Sequence, residues 1–466
     1  MKRRSGFKAR RTPNAANPGS ANPRPAAGHP FDVFVEKLIY GGDGLARHEG
    51  ATVFVPFVLP SERVTVEPVE RKKDFVRARL VRVVDASPER ADPRCPHFGA
   101  CGGCDYQHIP YEAQLRYKVE ILRETLRRTG KIDWTGEITT HASDPWKYRN
   151  RAQWKIRPAK TATSIAPREA ARGSAMEIGY FRARSTSLCA VHDCPILSPV
   201  LLKVLLAFRD ALATGSLPPE LREVEAFTNE GENVAEPGVL LTLTFSGFPS
   251  GAKEYAEQIQ GLMPEVQSLL FHDPRQGRMA LYGPGFLRYP LAAHNHRVGH
   301  FSFFQVNRFL AEELARAVCE NDAGGELALD LFAGVGLFAL PLAEKFQKVI
   351  AVESNPAAAR DLEINAAGAK RLEIRTADAE DFLQKHRAVA DLVVVDPPRA
   401  GLAPQVVRRL TEIGPHRITY VSCEPPTLGR DLRILLDGAY RISSIDLFDL
   451  FPQSFHMETV VRLLRS

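Results

Sequence analysis

The chain has 466 residues, with 61 Lys and Arg against 55 Asp and Glu, so its net charge is +6. At about 150 residues per domain, this length allows about three domains and excludes a single small module. The modest basic excess is compatible with a nucleic-acid partner. No stretch approaches the ~18 apolar residues of a membrane span, and we therefore expect no membrane association.

Residues 1–30 are predicted to form a disordered basic tail. No acidic residue precedes Asp32, and Pro13, Pro18 and Pro23 prevent a long amphipathic helix. Such a polycation would bind phosphate groups, and a solvated tail without a partner is the alternative.

Residues 31–88 are predicted to form a small OB-like β-barrel. Short runs of β-branched and aromatic residues alternate there with glycine and proline. Positive charge is concentrated on the last strands, which is typical of an RNA-binding barrel and equally of an ordinary solvated strand face. The residues concerned are Arg71, Lys72, Lys73, Arg77, Arg79 and Arg82.

Three of the seven cysteines lie close together, as Cys95, Cys101 and Cys104. Disulfide scaffolds are usually short and secreted, so these cysteines indicate the reducing cytoplasm and a metal site. The spacing alone permits either an iron–sulfur cluster or zinc, because three histidines are near in sequence, namely His97, His108 and His192.

The middle of the chain carries weaker patterns. A helix is predicted over 111–130, where apolar residues recur at helical spacing until Gly130 ends it. From about residue 138 to 299 the pattern is strand-like and irregular.

The last third predicts a doubly wound parallel sheet, because apolar strands alternate with helical stretches. Strands are expected at 328–332, 349–353, 392–396 and 418–423, with ligands at their carboxyl ends. Gly334 and Gly336 after the first strand allow a nucleoside to approach, and Glu353 at the end of the second can hold both ribose hydroxyls. This pattern fits NAD and S-adenosylmethionine equally.

Later motifs add reactive groups to the same edge of the sheet. The run Asp-Pro-Pro-Arg at 396–399 follows the third strand, and Cys423 ends the fourth, just before a helix. A thiol facing a helix N-terminus is predicted to have a lowered pKa and to act as a nucleophile. The loop near the C-terminus supplies His456 and Glu458, one of which is the expected base.

In this order, together with Phe-Phe-Gln-Val-Asn at 303–307, these motifs resemble the RNA (uracil-5-)-methyltransferase family over nearly all of the chain after residue 30. The resemblance implies a Rossmann-like class I methyltransferase domain at 300–466, a TRAM barrel at 31–88 and a β-rich central domain with a 4Fe-4S cluster at 89–299. Helix 111–130 is expected to pack on the catalytic domain. The implied reaction is methylation of uridine C5 in structured RNA, with 23S rRNA favoured and tRNA as the alternative.

The resemblance also implies roles for individual residues. S-adenosylmethionine would contact Gln305, Phe332, Gly334, Gly336, Glu353 and Asp396, with Asp378 near the adenine. Cys423 would attack C6 of the uracil, Glu458 would remove the C5 proton, and Phe303 would stack near the flipped base. The cluster would bind Cys95, Cys101, Cys104 and Cys194, with Cys189 as the rival fourth ligand and Cys319 in the core.

Two positions differ from the family pattern: Leu337 follows the glycine pair where Asn is common, and Glu424 follows the nucleophile where Asn or Asp is common.

Two other functions are compatible with parts of the sequence. A noncatalytic RNA-binding protein would not need Cys423 with Glu458, and an NAD-dependent dehydrogenase would not explain the Asp-Pro-Pro-Arg run. No feature indicates an obligate protein partner.

Overall fold

A computed structural model describes residues 28–159, 176–231, 234–319 and 324–466. Most of the predicted basic tail, residues 1–27, lies outside these ranges. The described residues form two units, of which one contains residues 28–37 with Gly44–Ser87 and the other contains Leu38–Asp43 with Pro88–Ser466. The division predicted at residue 299 does not coincide with a separation between units. In the described part of the chain, no helix is both long and apolar enough to span a bilayer.

The N-terminal unit is a closed five-stranded barrel in the order β1-β2-β3-β5-β4. Alternate residues point inward, so valines such as Val35, Val53 and Val64 fill the interior. Three of the six basic residues predicted to contact RNA are ion-paired, Arg79 with Glu67 and both Arg77 and Lys72 with Glu70, so their charge is partly neutralised within the barrel. The strands are β1 Phe31–Leu38, β2 Asp43–His48, β3 Ala51–Pro56, β4 Arg63–Arg71 and β5 Phe75–Asp85.

A helix follows the cysteine motif, as predicted. Helix α1 covers Tyr111–Thr125 and continues as a π-helical turn over Leu126–Gly130. Gly130 is needed at this turn, because a Cβ there would lie 2.6 Å from the Gly429 carbonyl oxygen of a helix in the C-terminal sheet region. The end of this helix therefore packs directly on that region.

The middle of the chain is more regular than its sequence indicated. A seven-stranded sheet in the order β13-β12-β11-β10-β7-β8-β9 is accompanied by two helices that we had not predicted. The first of these helices, α2, is capped by the Ser198 side chain, and the second, α3, is strongly amphipathic. The elements are β7 Arg151–Pro158, β8 Met176–Phe181, β9 Leu188–Ala190, α2 Pro199–Ala213, β10 Leu221–Thr228, β11 Val239–Phe245, α3 Ala252–Leu262, β12 Val266–Asp273 and β13 Arg278–Tyr282. A separate hairpin follows, with β14 Phe286–Leu291 and β15 His294–Gly299.

The C-terminal sheet has eight strands in the order β18-β17-β16-β19-β20-β22-β21-β6. The first five are parallel, as predicted, whereas β22 is antiparallel to β20 and β21. Strand β6, Ile138–His141, joins this sheet beside β21, although we had assigned its residues to the central region. The other strands are β16 Gly325–Asp330, β17 Phe346–Glu353, β18 Leu372–Thr376, β19 Leu392–Val395, β20 Arg417–Ser422, β21 Tyr440–Phe448 and β22 Glu458–Arg465.

Six helices cover or precede this sheet. Their bounds are α4 Ala311–Cys319, α5 Ala339–Lys345, α6 Pro356–Asn365, α7 Ala379–Lys385, α8 Pro404–Ile413 and α9 Pro425–Asp437. The strand order reverses at β16, which lies between β17 and β19. Ligands of open α/β sheets bind at such a reversal, beyond the carboxyl ends of the strands. The glycine turn with Glu353, Asp396, Cys423 and Glu458 lie at this edge.

Candidate active site

The glycine turn after β16 is held by Glu353 at the end of β17. One carboxylate oxygen of Glu353 accepts the N–H of Gly334 at 2.8 Å and the other accepts the N–H of Asn355 at 2.6 Å. Gly334 and Gly336 both have positive φ, +53° and +99°. A carboxylate has about four acceptor positions, so Glu353 keeps acceptor capacity for two ribose hydroxyls.

Two further carboxyl groups lie at the ends of β16 and β19. Asp330 is fully buried, and burial together with neighbouring Asp396 raises its pKa to about 8. Burial also raises the pKa of Asp396, to about 7. Carboxylates withdrawn from water are stabilised by a cation. This edge of the sheet is therefore suited to a ligand that carries positive charge as well as a ribose.

Cys423 lies between β20 and α9 and is half-buried. Its predicted low pKa is wrong: burial raises the pKa of the thiol to about 12, Glu458 and Asp396 add to the rise, and Arg399 opposes it. The helix contributes little because α9 begins with two prolines, which have no N–H to donate. Positive charge brought near these carboxylates would favour the thiolate form of Cys423.

Glu458 is the first residue of β22 and is buried close enough to Cys423 to raise the pKa of its thiol. Burial and then Asp396 raise the pKa of Glu458 itself well above its usual range. Its Oε1 atom has no hydrogen-bond partner among the described residues. A buried carboxyl group with a free oxygen next to a thiol is suited to proton transfer.

His456, the other candidate base, has a different environment. Burial, together with the smaller effects of nearby Arg399 and Lys118, lowers its pKa to about 4, so the imidazole is neutral at physiological pH. It lines the cavity of the cysteine motif described below. Of the two candidates, only Glu458 acts electrostatically on Cys423.

The remaining predicted cofactor residues differ in exposure. Gln305 is buried and Phe332 is half-buried beside the glycine turn. Asp378 is exposed and caps α7 by accepting the N–H of Glu380. Phe303 is 61% exposed, as a stacking surface for a base must be.

The predicted cluster ligands line one cavity. Cys95, Cys101, Cys104 and Cys194 all border a space of about 240 Å³. Cys189 is buried and does not border it, whereas Cys319 is in the core as predicted. Among the described residues, no three Cys, His, Asp or Glu side chains are close enough together to hold a single metal ion.

Sequence reasoning missed several residues at this site. Asp330 lies within the strand predicted at 328–332, just before the glycine turn, and could have been found from that position. Tyr40 lies beside Glu424, and burial and then that carboxylate raise the pKa of Tyr40. Lys118 on α1 is fully buried against Asp449, 331 residues away in sequence. No local pattern indicates either Tyr40 or Lys118.

The sheet, its glycine turn and Glu353 at the neighbouring strand end are typical of Rossmann-like domains that bind a nucleoside-containing cofactor. The comparisons with known proteins narrow this class. Residues 292–466 match the family model described as tRNA (Uracil-5-)-methyltransferase.

Relatives match along almost the whole chain. An uncharacterized RNA methyltransferase of Aquifex aeolicus is 32% identical, over 93% of this chain and 98% of that protein. The 23S rRNA (uracil(1939)-C(5))-methyltransferase RlmD of Klebsiella pneumoniae is 32% identical, over 92% of this chain and 94% of that protein. The chain belongs to the RNA (uracil-5-)-methyltransferase family.

A solved structure supports the same assignment. The tRNA (uracil-54, C5)-methyltransferase of Pyrococcus abyssi, in complex with S-adenosyl-L-homocysteine, has a TM-score of 0.69 and 25% identity. The match covers 93% of this chain and 100% of that one. The fold of this chain is therefore that of a uracil methyltransferase.

Proposed function

We propose that this protein methylates C5 of a uridine in RNA with S-adenosylmethionine, through a transient bond between Cys423 and C6 of the uracil. The observation that carries the proposal is the placement of Cys423 beside the buried carboxyl group of Glu458, at the edge of the sheet that holds the glycine turn. When bound, S-adenosylmethionine supplies the methyl group and the positive charge of its sulfonium.

Uracil C5 is a poor nucleophile until C6 has been attacked. The Cys423 thiolate forms a bond to C6, which makes C5 nucleophilic, and C5 takes the methyl group. Glu458 then accepts the proton from C5, and the electron pair of the broken C–H bond re-forms the C5–C6 double bond as the sulfur leaves. Arg399 is the neighbouring cation that favours the thiolate, because it lowers the pKa of Cys423.

The buried carboxyl groups at this edge of the sheet support S-adenosylmethionine over NAD as the cofactor. Asp330, Asp396 and Glu458 are carboxyl groups whose pKa values are raised by burial. A sulfonium bound near them would favour their charged form, whereas the negatively charged pyrophosphate of NAD would add to the repulsion. We assign Gln305, Phe332, Gly334, Gly336, Glu353 and Asp396 to this cofactor, and Asp378 to its adenine end.

The proposed substrate is 23S rRNA, which the Klebsiella relative modifies according to its name, and tRNA is the alternative represented by the Pyrococcus structure. We expect 23S rRNA from cells lacking this protein to lose one 5-methyluridine, as mapped by mass spectrometry of RNase fragments. The tRNA from the same cells is the internal control. Loss of 5-methyluridine from tRNA alone would reverse the assignment, and no loss from either RNA would contradict the function.

We also propose a 4Fe-4S cluster bound by Cys95, Cys101, Cys104 and Cys194. All four line one cavity, yet in the part of the chain that the structure describes no three potential ligands are close enough for a single ion. The ligands of a cluster bind different iron atoms, so they are spaced more widely than the ligands of one zinc ion. A thiolate-bound cluster and a thiol nucleophile both favour the reducing cytoplasm as the place of action.

The cluster proposal predicts a difference between two buried cysteines. Protein purified without oxygen should be brown and contain iron and sulfide in equal amounts. Cys194→Ser should lose the colour and the iron, because Cys194 borders the cavity, whereas the matched control Cys189→Ser should keep both. Colourless wild-type protein with stoichiometric zinc would contradict the cluster.

A further inference from the structure

The loop between β21 and β22, residues 449–457, leads directly into Glu458, and we call it the catalytic loop. Lys118 of helix α1 reaches this loop from a fully buried position. Its Nζ donates hydrogen bonds to the Asp449 carboxylate at 2.6 Å, to the Phe451 carbonyl at 3.2 Å and to the His456 carbonyl at 2.8 Å. One ammonium group thus uses its three donors to hold both ends of the catalytic loop.

The middle of the loop is held from the same side of the molecule. The Gln114 amide, one helical turn before Lys118, donates to the Gln453 side chain at 3.0 Å and accepts the Gln453 N–H at 3.0 Å. The N–H groups of Asp105 and Tyr106 donate to the Gln453 carbonyl. Gln453 has a φ of +69°, which is unfavourable for a residue with a side chain, so these bonds hold it in a strained conformation.

The cost of burying Lys118 indicates that it does more than stabilise the fold. An ammonium and a carboxylate lose their hydration when both are 0% exposed, and an apolar pair of similar size is often at least as stable. What an apolar pair cannot provide is three directed hydrogen bonds. Two of these hydrogen bonds run from Lys118 to backbone carbonyls of the catalytic loop, and one of those carbonyls belongs to His456, only two residues before Glu458.

We propose that Lys118 is a positioning residue for Glu458, holding the catalytic loop so that the carboxyl group faces C5 of the bound uracil. This inference rests on the roles proposed above for Cys423 and Glu458. Cys423 lies on a different turn, between β20 and α9, and none of the Lys118 hydrogen bonds reaches it. Lys118 therefore acts on the step that needs Glu458, the release of the methylated RNA, and leaves the attack on C6 intact.

The test uses a double variant, because Lys118→Met alone leaves Asp449 buried without its cation and would destabilise the protein. Lys118→Met/Asp449→Leu removes both charges and should melt near the wild-type temperature. With a uridine-containing RNA and labelled S-adenosylmethionine, this variant should form the protein–RNA adduct at close to the wild-type rate. Release of methylated RNA should slow about 10- to 100-fold, as expected when a general base is misplaced.

Two control variants are run in parallel. Arg116→Met removes another charged residue of helix α1. Arg116 pairs with Glu89 and has no hydrogen bond to the catalytic loop, so this variant should release RNA normally. Glu458→Gln should accumulate adduct. If Glu458→Gln accumulates adduct while the stable double variant releases RNA at the wild-type rate, the positioning role is overturned and the proposed function stands. If the wild type forms no adduct with RNA containing 5-fluorouridine, the covalent mechanism fails, and the positioning role fails with it.

Discussion

Cys423→Ala is expected to bind S-adenosylmethionine and RNA but to form no covalent species, whereas Glu458→Gln is expected to accumulate a methylated protein–RNA adduct. The two variants should differ because the thiol acts before methyl transfer and the carboxylate acts after it. Both should lower the turnover rate by on the order of 10⁴-fold or more, the scale seen when a covalent mechanism loses an essential group. Denaturing gels with a labelled methyl donor would show the adduct as a shifted, labelled band.

The wild-type enzyme offers a direct comparison. With RNA containing 5-fluorouridine, it should stop at the same adduct, because fluorine cannot leave C5 as a cation. Cys319→Ala is a matched cysteine control, since Cys319 is buried in α4 and should not affect adduct formation. Methylation by Cys423→Ala, or a trapped linkage that maps to another residue, would show that the assigned mechanism is wrong.

The two glycines of the turn after β16 should respond very differently to alanine. At Gly336 an added Cβ would lie 2.7 Å from the buried Leu362 side chain, at a φ of +99°. We expect Gly336→Ala to destabilise the protein by about 3–5 kcal/mol, from backbone strain and overpacking together. At Gly334 the φ is +53° and nothing lies within 4 Å of the Cβ position, so Gly334→Ala should cost only about 1–2 kcal/mol.

The effect of Gly334→Ala should instead appear in cofactor binding. The space open to its Cβ lies on the turn whose N–H binds Glu353, where the nucleoside is proposed to sit. Urea unfolding followed by circular dichroism would separate the two variants. Calorimetric titration with S-adenosylmethionine should show binding by Gly334→Ala weakened by about tenfold, or 1.4 kcal/mol. Normal binding by that variant would contradict the proposed position of the cofactor.

The position of Cys423 could be predicted from the sequence, but the pKa of its thiol could not. The motif correctly indicated a thiol between a strand and a helix, and from that we predicted a low pKa. The pKa is raised because burial disfavours the thiolate, and then because Glu458 and Asp396, which come from β22 and from the end of β19, bring negative charge near it. Charge–charge interactions depend on the distance between the groups in space, and a motif within one segment does not specify its distance to residues of other segments.

Features formed within short segments could be predicted from the sequence by itself. The glycine turn with Glu353, the strand end at Cys423 and the helix after the cysteines depend on local hydrophobic spacing and on residues with special backbone preferences. Family membership followed from the order of these motifs, and the matches to relatives confirm it.

Only the tertiary structure decided how distant segments combine. Strand β6 pairs with β21, some 300 residues later, and Lys118 is buried against Asp449 across 331 residues. The sequence around β6 does not indicate that it pairs with β21, and the sequence around Lys118 does not indicate Asp449. A backbone hydrogen bond or a buried charge can be satisfied by any suitably placed group. The packing of the whole chain selects the partner, and with it the position of the loop that carries Glu458.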